Sequence, residues 1–219
     1  MDIGPSPDRQ FSKNYQSGAL SFEILSNNYK LISNSVYFTR KNHKLNSISR
    51  SSAAQSTLII DNHSSCKIDT VSHEVKQGLR IINKKVKQEK NYWKIVSSHD
   101  GYLKRYGVIH ERKIEFFIKD KKFVGHDTLF KKKNQKKNNF ALRFHILPDT
   151  NRMNTPDYKS PLIYLNGEGW RFSCPGHLIH IETGLYFGKK NTFTENQNFF
   201  ISGITSNEDQ IIKWELNKI

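Results

Sequence analysis

An all-β fold, a mostly antiparallel β-sandwich, is what this 219-residue sequence predicts. Three observations lead there. Apolar residues recur in short runs with a period of two, the pattern of a strand with one buried face. No segment keeps a 3.6-residue apolar period over three turns, so helix should fall below about a tenth of the chain, well under the usual share. The runs follow one another at short intervals, bounded by Gly, Asn, Asp and Pro and with no helices between them, which argues against a parallel βαβ sheet.

The elements follow in order. Gly4-Pro-Ser-Pro7 disfavours an early helix, because proline lacks an amide hydrogen and biases the preceding residue towards extended backbone. Residues 1–17 therefore read as a linker with extended backbone, and 18–219 as the sandwich domain. Leu20, Phe22 and Ile24 alternate with Ser21, Glu23 and Leu25. Further candidate strands are 57–60, 71–75, 79–86 and 93–97. The longest run, 107–118, places Val108, Ile114, Phe116 and Ile118 on one face and Glu111, Lys113 and Glu115 on the other, with Phe117 breaking the alternation. After 122–129 comes a low-complexity basic stretch, 131–139, expected to be an exposed, mobile hairpin loop. Strands at 140–147, 162–165, 170–173, 178–186, 199–202 and 211–216 complete the set, and no internal repeat is visible.

Composition narrows the function. The hydrophobic share of 36% is modest, but 12% aromatic content argues for a packed core over a disordered chain. A formal net charge of +15 suits an acidic polysaccharide, a nucleic acid or an anionic lipid surface, although lysines scattered among Asn and Ile are also what AT-rich coding yields. Cys66 and Cys174 are too few for a disulfide framework and lack zinc or redox spacing, so both should be buried thiols. No run of 18 apolar residues exists, and the first residues have neither a basic nor an apolar leader region. As written, the chain carries no transmembrane segment or export signal and reads as cytoplasmic. A Gly-rich phosphate loop, a G-x-S-x-G elbow and an H-E-x-x-H pair are all absent.

Five motifs carry more information. They are Arg50-Ser-Ser-Ala-Ala-Gln-Ser-Thr-Leu-Ile-Ile-Asp61, His99-Asp-Gly-Tyr102, Arg143-Phe-His-Ile-Leu-Pro-Asp149, Asn166-Gly-Glu-Gly-Trp-Arg-Phe172 and Glu182-Thr-Gly-Leu-Tyr-Phe-Gly188. In this order, from about residue 2 to 219, the chain resembles the carboxy-terminal β-sheet half of bacterial heparinase II/III-type polysaccharide lyases. The resemblance implies a β-sandwich and β-elimination of uronate-containing acidic polysaccharide. That chemistry must neutralise the carboxylate, remove the adjacent proton and protonate the leaving oxygen. In the family the neutralising Asn or His and the catalytic Tyr come from an amino-terminal helical toroid. The β-sheet half adds a further His and, in some members, a structural zinc site, and the family is often periplasmic or cell-envelope.

Gln55 stands where the family carries a His. Its amide can bond a sugar hydroxyl but does not titrate, and it can equally pair with backbone at a strand end. His99, near the position of a family zinc ligand, and Tyr102 should be presented at a sheet edge by a turn in which Gly101 adopts positive φ. Zinc would need Asp61 and His99 with His63 or His110 to converge, whereas a lone histidine at a turn is more often a hydrogen-bonding residue. Arg143 and His145 share one strand face, opposite Phe144 and Ile146, where they could hold a sulfate or carboxylate or form an ordinary sheet surface. Leu147 replaces a second histidine found in relatives. Asn166-Gly signals a type I′ hairpin turn, and Glu182 suits a polar network.

The candidate catalytic residues are thus His99, Tyr102 and His145, with Gln55 and Arg143 for substrate and Asp61 with His99 for a metal. The resemblance implies an acidic polysaccharide and a separately encoded helical toroid half as partners, without which lyase activity should be slight. A non-catalytic module for binding acidic glycans or for protein interaction is the alternative. Nucleic acid is not expected, since no basic stripe with interleaved aromatics is visible.

Overall fold

The computed structural model describes every residue except 41, 42, 133–135, 149, 154, 156–158, 190 and 191, and the side chain at 152. It is 49% strand and 8% helix. Sixteen strands are described in chain order: β1 (Ile24–Ser26), β2 (Tyr29–Ile32), β3 (Leu58–Ile60), β4 (Lys67–Ile68), β5 (Val75–Gln77), β6 (Ile81–Glu89), β7 (Tyr92–His99), β8 (Val108–Phe117), β9 (Lys122–Lys131), β10 (Asn139–Ile146), β11 (Asn151–Met153), β12 (Leu162–Leu165), β13 (Glu168–Ser173), β14 (His180–Tyr186), β15 (Thr194–Ile204) and β16 (Gln210–Lys218). Two short helices, α1 (Lys44–Ser49) and α2 (Leu103–Tyr106), lie between them.

Eight strands form one antiparallel sheet in the order β11-β12-β13-β16-β9-β8-β7-β6, and four form a second, β14-β15-β10-β3. Two hairpins, β1-β2 and β4-β5, stand apart. The alternation explains the layering. Phe140, Leu142, Phe144 and Ile146 of β10 and Phe199 and Ile201 of β15 are buried, and they join one core with Phe172, Ile212, Trp214 and Leu216 of the large sheet. The Trp214 indole is edge-on to Phe144 at 5.1 Å and stacked on Phe22 at 5.2 Å. Each such ring removed from water contributes about 1.5–3 kcal/mol.

The predicted turn at Asn166-Gly is present: Asn166 and Gly167 have φ of 49° and 77°, the left-handed pair a type I′ turn needs, and Leu165 pairs with Glu168 across it. Phe117 lies on the outer face with Glu115, as its place in the alternation requires, and its ring meets that of its cross-strand neighbour Tyr92 at 5.3 Å.

Other expectations need correction. The 71–75 run is a turn up to β5, since the Asp69 carboxylate accepts the N–H groups of Val71 and Ser72, and Val71 is 88% exposed. The basic stretch does not begin as a loop. Lys131 ends β9, and its buried ammonium donates to the carbonyls of Tyr106 and Lys136; residues 133–135 of that stretch lie outside the described residues. Residues 1–17 contain a 3₁₀ turn at Arg9–Phe11 and a second turn closed by Tyr15 N–H to the Ser12 carbonyl, and they are tied to the body by Asp2 N–H to the Ser21 carbonyl and Leu20 N–H to that of Asp2.

Gly125 on β9 faces the Trp214 ring so closely that a Cβ there would lie 2.0 Å from it. Gly125→Ala should therefore cost about 1–3 kcal/mol through overpacking, read as a lower urea midpoint. An unchanged midpoint would mean that Trp214 can move aside.

Candidate functional site

The segment 50–61 leaves α1, makes a 3₁₀ turn at Ser52–Ala54 and enters β3 at the edge of the small sheet. Gln55 is 2% exposed, and its amide donates to the Ser49 carbonyl at 3.2 Å. It also lines a concavity with Asp2, Tyr15, Gln16 and Asn34. The Ser56 hydroxyl donates to the Ser33 carbonyl at 2.6 Å and accepts the His145 N–H at 2.8 Å, so this segment lies against β10.

His145 is buried there. Its Nε2 lies 3.0 Å from the Ala53 carbonyl, which only accepts, so the proton belongs on Nε2 and Nδ1 accepts from the Ser35 hydroxyl at 3.3 Å. Burial pushes its pKa down to about 4 despite the Ala53 bond, leaving a neutral ring. Across the outer face, His145, Asn198 and Glu182 pair in one row over β10, β15 and β14. Arg143, two residues back, donates from Nη2 to Glu182 at 3.2 Å and lies over the Phe200 ring at 4.8 Å. Its Nη1 and the Asn198 Oδ1 have no protein partner. Beyond Phe200 the face continues as a trough of about 640 Å³ walled by Ile59, Asp61, Asn139, Ala141 and Ser202. The structure thus brings Arg143, His145 and the Gln55 segment together on one side of the small sheet.

His99 and Tyr102 belong elsewhere. Each is 1% exposed, not presented at an edge, and Gly101 does not adopt positive φ. Glycine is needed there for space, because a Cβ would lie 2.6 Å from the Ser65 carbonyl. Tyr102 donates its hydroxyl to the Leu58 carbonyl at 2.7 Å, and burial pushes its pKa up. The His99 Nδ1 accepts the Gly101 N–H, and the ring sits edge-on to His110 at 5.4 Å. Burial first, then the neighbouring His110 and Arg112, hold the His99 pKa well below its ordinary value.

Behind them lies a polar centre that the sequence reading missed. Asp127 accepts from Arg112 Nε and His110 Nε2, each at 2.7 Å, and from Trp214 Nε1 at 2.9 Å. Burial alone would raise the Asp127 carboxyl, but Arg112 and His110 outweigh it and hold the pKa at about 2. Arg112 Nη1 reaches the carbonyls of Leu20 and Ser56 at 2.9 and 2.6 Å. A signal was available: His110 and Arg112 sit in the inward phase of β8 with Val108 and Ile114, and a charge in that phase demands a buried partner.

Asp61 does not meet His99. Its carboxylate accepts from Asn138 Nδ2 and from the Asn139 N–H, both at 2.8 Å, while the His63 Nδ1 lies 2.7 Å from its carbonyl. Among the described residues no group of three His, Cys, Asp or Glu side chains could hold a metal, so these donors do not fit a zinc site.

A two-sheet antiparallel sandwich with a polar outer face on its smaller sheet matches known proteins. The Heparinase II/III-like, C-terminal family matches residues 1–215, and the chain belongs to that family. Heparan sulfate lyase HepC from Pedobacter heparinus is similar in structure, with a TM-score of 0.75 at 15% identity. The Heparinase III-BT4657 gene product reaches 0.73 at 17% identity, and a structure titled Heparinase III 0.69 at 15%. Each match covers 93% of this chain and 30% of the other, so the chain spans less than a third of those enzymes. No curated protein matches it in sequence.

Two predictions follow from this buried chemistry. Asp127→Asn strips Arg112 of its counter-charge and should cost about 3–5 kcal/mol in thermal or urea unfolding; a loss below about 1 kcal/mol would remove the pair from its structural role. His145 takes up a proton near pH 6.5 when unfolded but only at about 4 when folded, so the unfolded chain binds more protons in that window. Stability should therefore fall as pH drops from about 6.5 towards 4, and His145→Gln should flatten that slope. A urea midpoint independent of pH over this range would contradict the buried neutral ring.

Proposed function

We propose that this chain is the carboxy-terminal part of a heparinase II/III-like polysaccharide lyase, contacting a uronate-containing acidic polysaccharide along the outer face of the small sheet. The observation that carries the reading is Arg143 laid over Phe200, whose ring lines the trough, with a guanidinium Nη1 that is buried and has no protein partner. A guanidinium recognises carboxylate or sulfate oxygens, and an aromatic ring packs against a sugar face. Ala141 and Ser202 leave the floor open.

The chain's own groups hold sugar better than they move protons. His99, Tyr102 and His145 are buried and hydrogen-bonded, and Gln55 has no titratable group. Each missing acid–base group forfeits a factor of about 10²–10⁴, so elimination depends on a helical toroid half supplying the base. The burial of these same groups also favours the second reading, a non-catalytic acidic-glycan-binding module. No helix among the described residues is long and apolar enough to cross a membrane.

Incubating the purified chain with heparan sulfate or alginate should produce no unsaturated-uronate absorbance, while a supplied toroid half should restore it. Elimination by the chain alone would overturn the division of labour; failure of any toroid half to restore it would favour the binding module. In both readings Arg143→Ala should weaken retention on immobilised heparin about fivefold, the equivalent of about 1 kcal/mol, and added salt should weaken it further.

A further inference from the structure

Among the described residues two arginines are almost fully buried, and only one of them has a counter-ion. Arg112 is paired with Asp127, whereas Arg50, 2% exposed at the end of α1, donates from Nε to the Tyr15 carbonyl at 2.7 Å and from Nη2 to the Ser12 carbonyl at 2.9 Å. Among the described residues no carboxylate pairs with it. A buried cation neutralised only by carbonyl dipoles is costly, and an anion would offset that cost.

Arg50 borders a pocket of about 160 Å³ that is also lined by Ser17, Ser47, Ser51, Ser64 and His73. Ser17 is fully buried, and its hydroxyl has no partner in the protein. The backbone fixes it against the Arg50 main chain, since the Ser17 N–H donates to the Arg50 carbonyl at 2.9 Å and the Ser17 carbonyl accepts from the Ser52 hydroxyl at 2.6 Å. The Ser64 hydroxyl accepts the Ser52 N–H at 2.9 Å, which leaves its own proton to donate. Asp69 is the one lining carboxylate; its Oδ1 is occupied by the N–H groups of Val71 and Ser72.

From this we propose that Arg50 and the serine hydroxyls around it form a binding site for one tetrahedral oxyanion, a sulfate or phosphate group. Arg50 and several hydroxyls border the same small space, and their positive charge and donor protons favour an anion there in spite of the Asp69 carboxylate at its wall. The volume equals about five waters at ~30 Å³ each, enough for one such group and a little solvent but not for a sugar chain. The pocket shares no lining residue with the trough beside Arg143, so it stands independently of the lyase reading. The oxyanion is either free in solution or an ester on a glycan.

Thermal unfolding of the full chain tests the site, with sodium sulfate or phosphate titrated against sodium chloride at matched ionic strength. The wild type should show a saturable rise in Tm above the gradual stabilisation that sulfate gives any protein. Ser17→Ala should raise the half-saturating concentration about tenfold, as expected for losing one hydrogen bond to a charged group. Ser47→Asp should raise Tm without added anion, by supplying the missing counter-charge, and should abolish the saturable response. Arg50→Met is less informative, because it also releases Ser12 and Tyr15. A sulfated disaccharide saturating at lower concentration than inorganic sulfate would assign the site to a glycan ester, and the reverse order to the free ion. No saturable response in the wild type, or the same response in both serine variants, overturns the proposal.

Discussion

The buried pair of Arg112 and Asp127 is the constraint on which the rest of the arrangement depends. Taking both charges out of water is expensive, and the expense is offset because both Asp127 oxygens and the Arg112 Nε and Nη1 are hydrogen-bonded. Asp127 on β9 collects Arg112 and His110 from β8 and the Trp214 indole from β16, which joins three neighbouring strands of the large sheet. Arg112 then reaches out of that sheet to the carbonyls of Leu20 and Ser56. Leu20 is held at a φ of 59°, a conformation that leucine seldom adopts, by this bond and by its N–H to the Asp2 carbonyl. Two irregular segments are thereby docked against the sandwich from a single guanidinium.

That docking shapes the candidate site. The segment carrying Gln55 is held from within by Arg112 at the Ser56 carbonyl and from the small sheet by His145, whose ring bonds Ala53 and whose backbone N–H bonds the Ser56 hydroxyl. His145 is accordingly a strut. Its neutral ring and the glutamine beside it leave Arg143 as the group on this face with donor capacity to spare. The same chain thus separates rigid support from ligand contact on adjacent positions of β10.

Much of the architecture was legible because strands advertise a two-residue period. The long runs matched β6 to β10, β12, β13 and β16 within a few residues, and Asn166-Gly specified its turn. What escaped were pieces too short to show a period, namely β2, β4 and β11, and elements set by local side-chain bonds. At Asp69 the carboxylate captures the next turn and pushes Val71 into solvent, against its strand preference. Family resemblance located the motifs in the right order, yet it did not reveal that His99 and Tyr102 lie beneath the surface.

By itself the sequence determined the fold class, the family and which residues of each strand share a face, since alternation and turn chemistry are local properties. Tertiary structure alone decided which of those faces are covered. Arg143 and His145 occupy equivalent positions on the same face of β10, but Ser33–Ser35 and the 50–61 segment close over His145 while Arg143 keeps a path to solvent. Arg50 and Arg112 are likewise indistinguishable as sequence, and only the folded chain gives Arg112 a carboxylate and Arg50 two backbone carbonyls. Burial and electrostatic pairing depend on what packs opposite a residue, and that comes from parts of the chain far away in sequence.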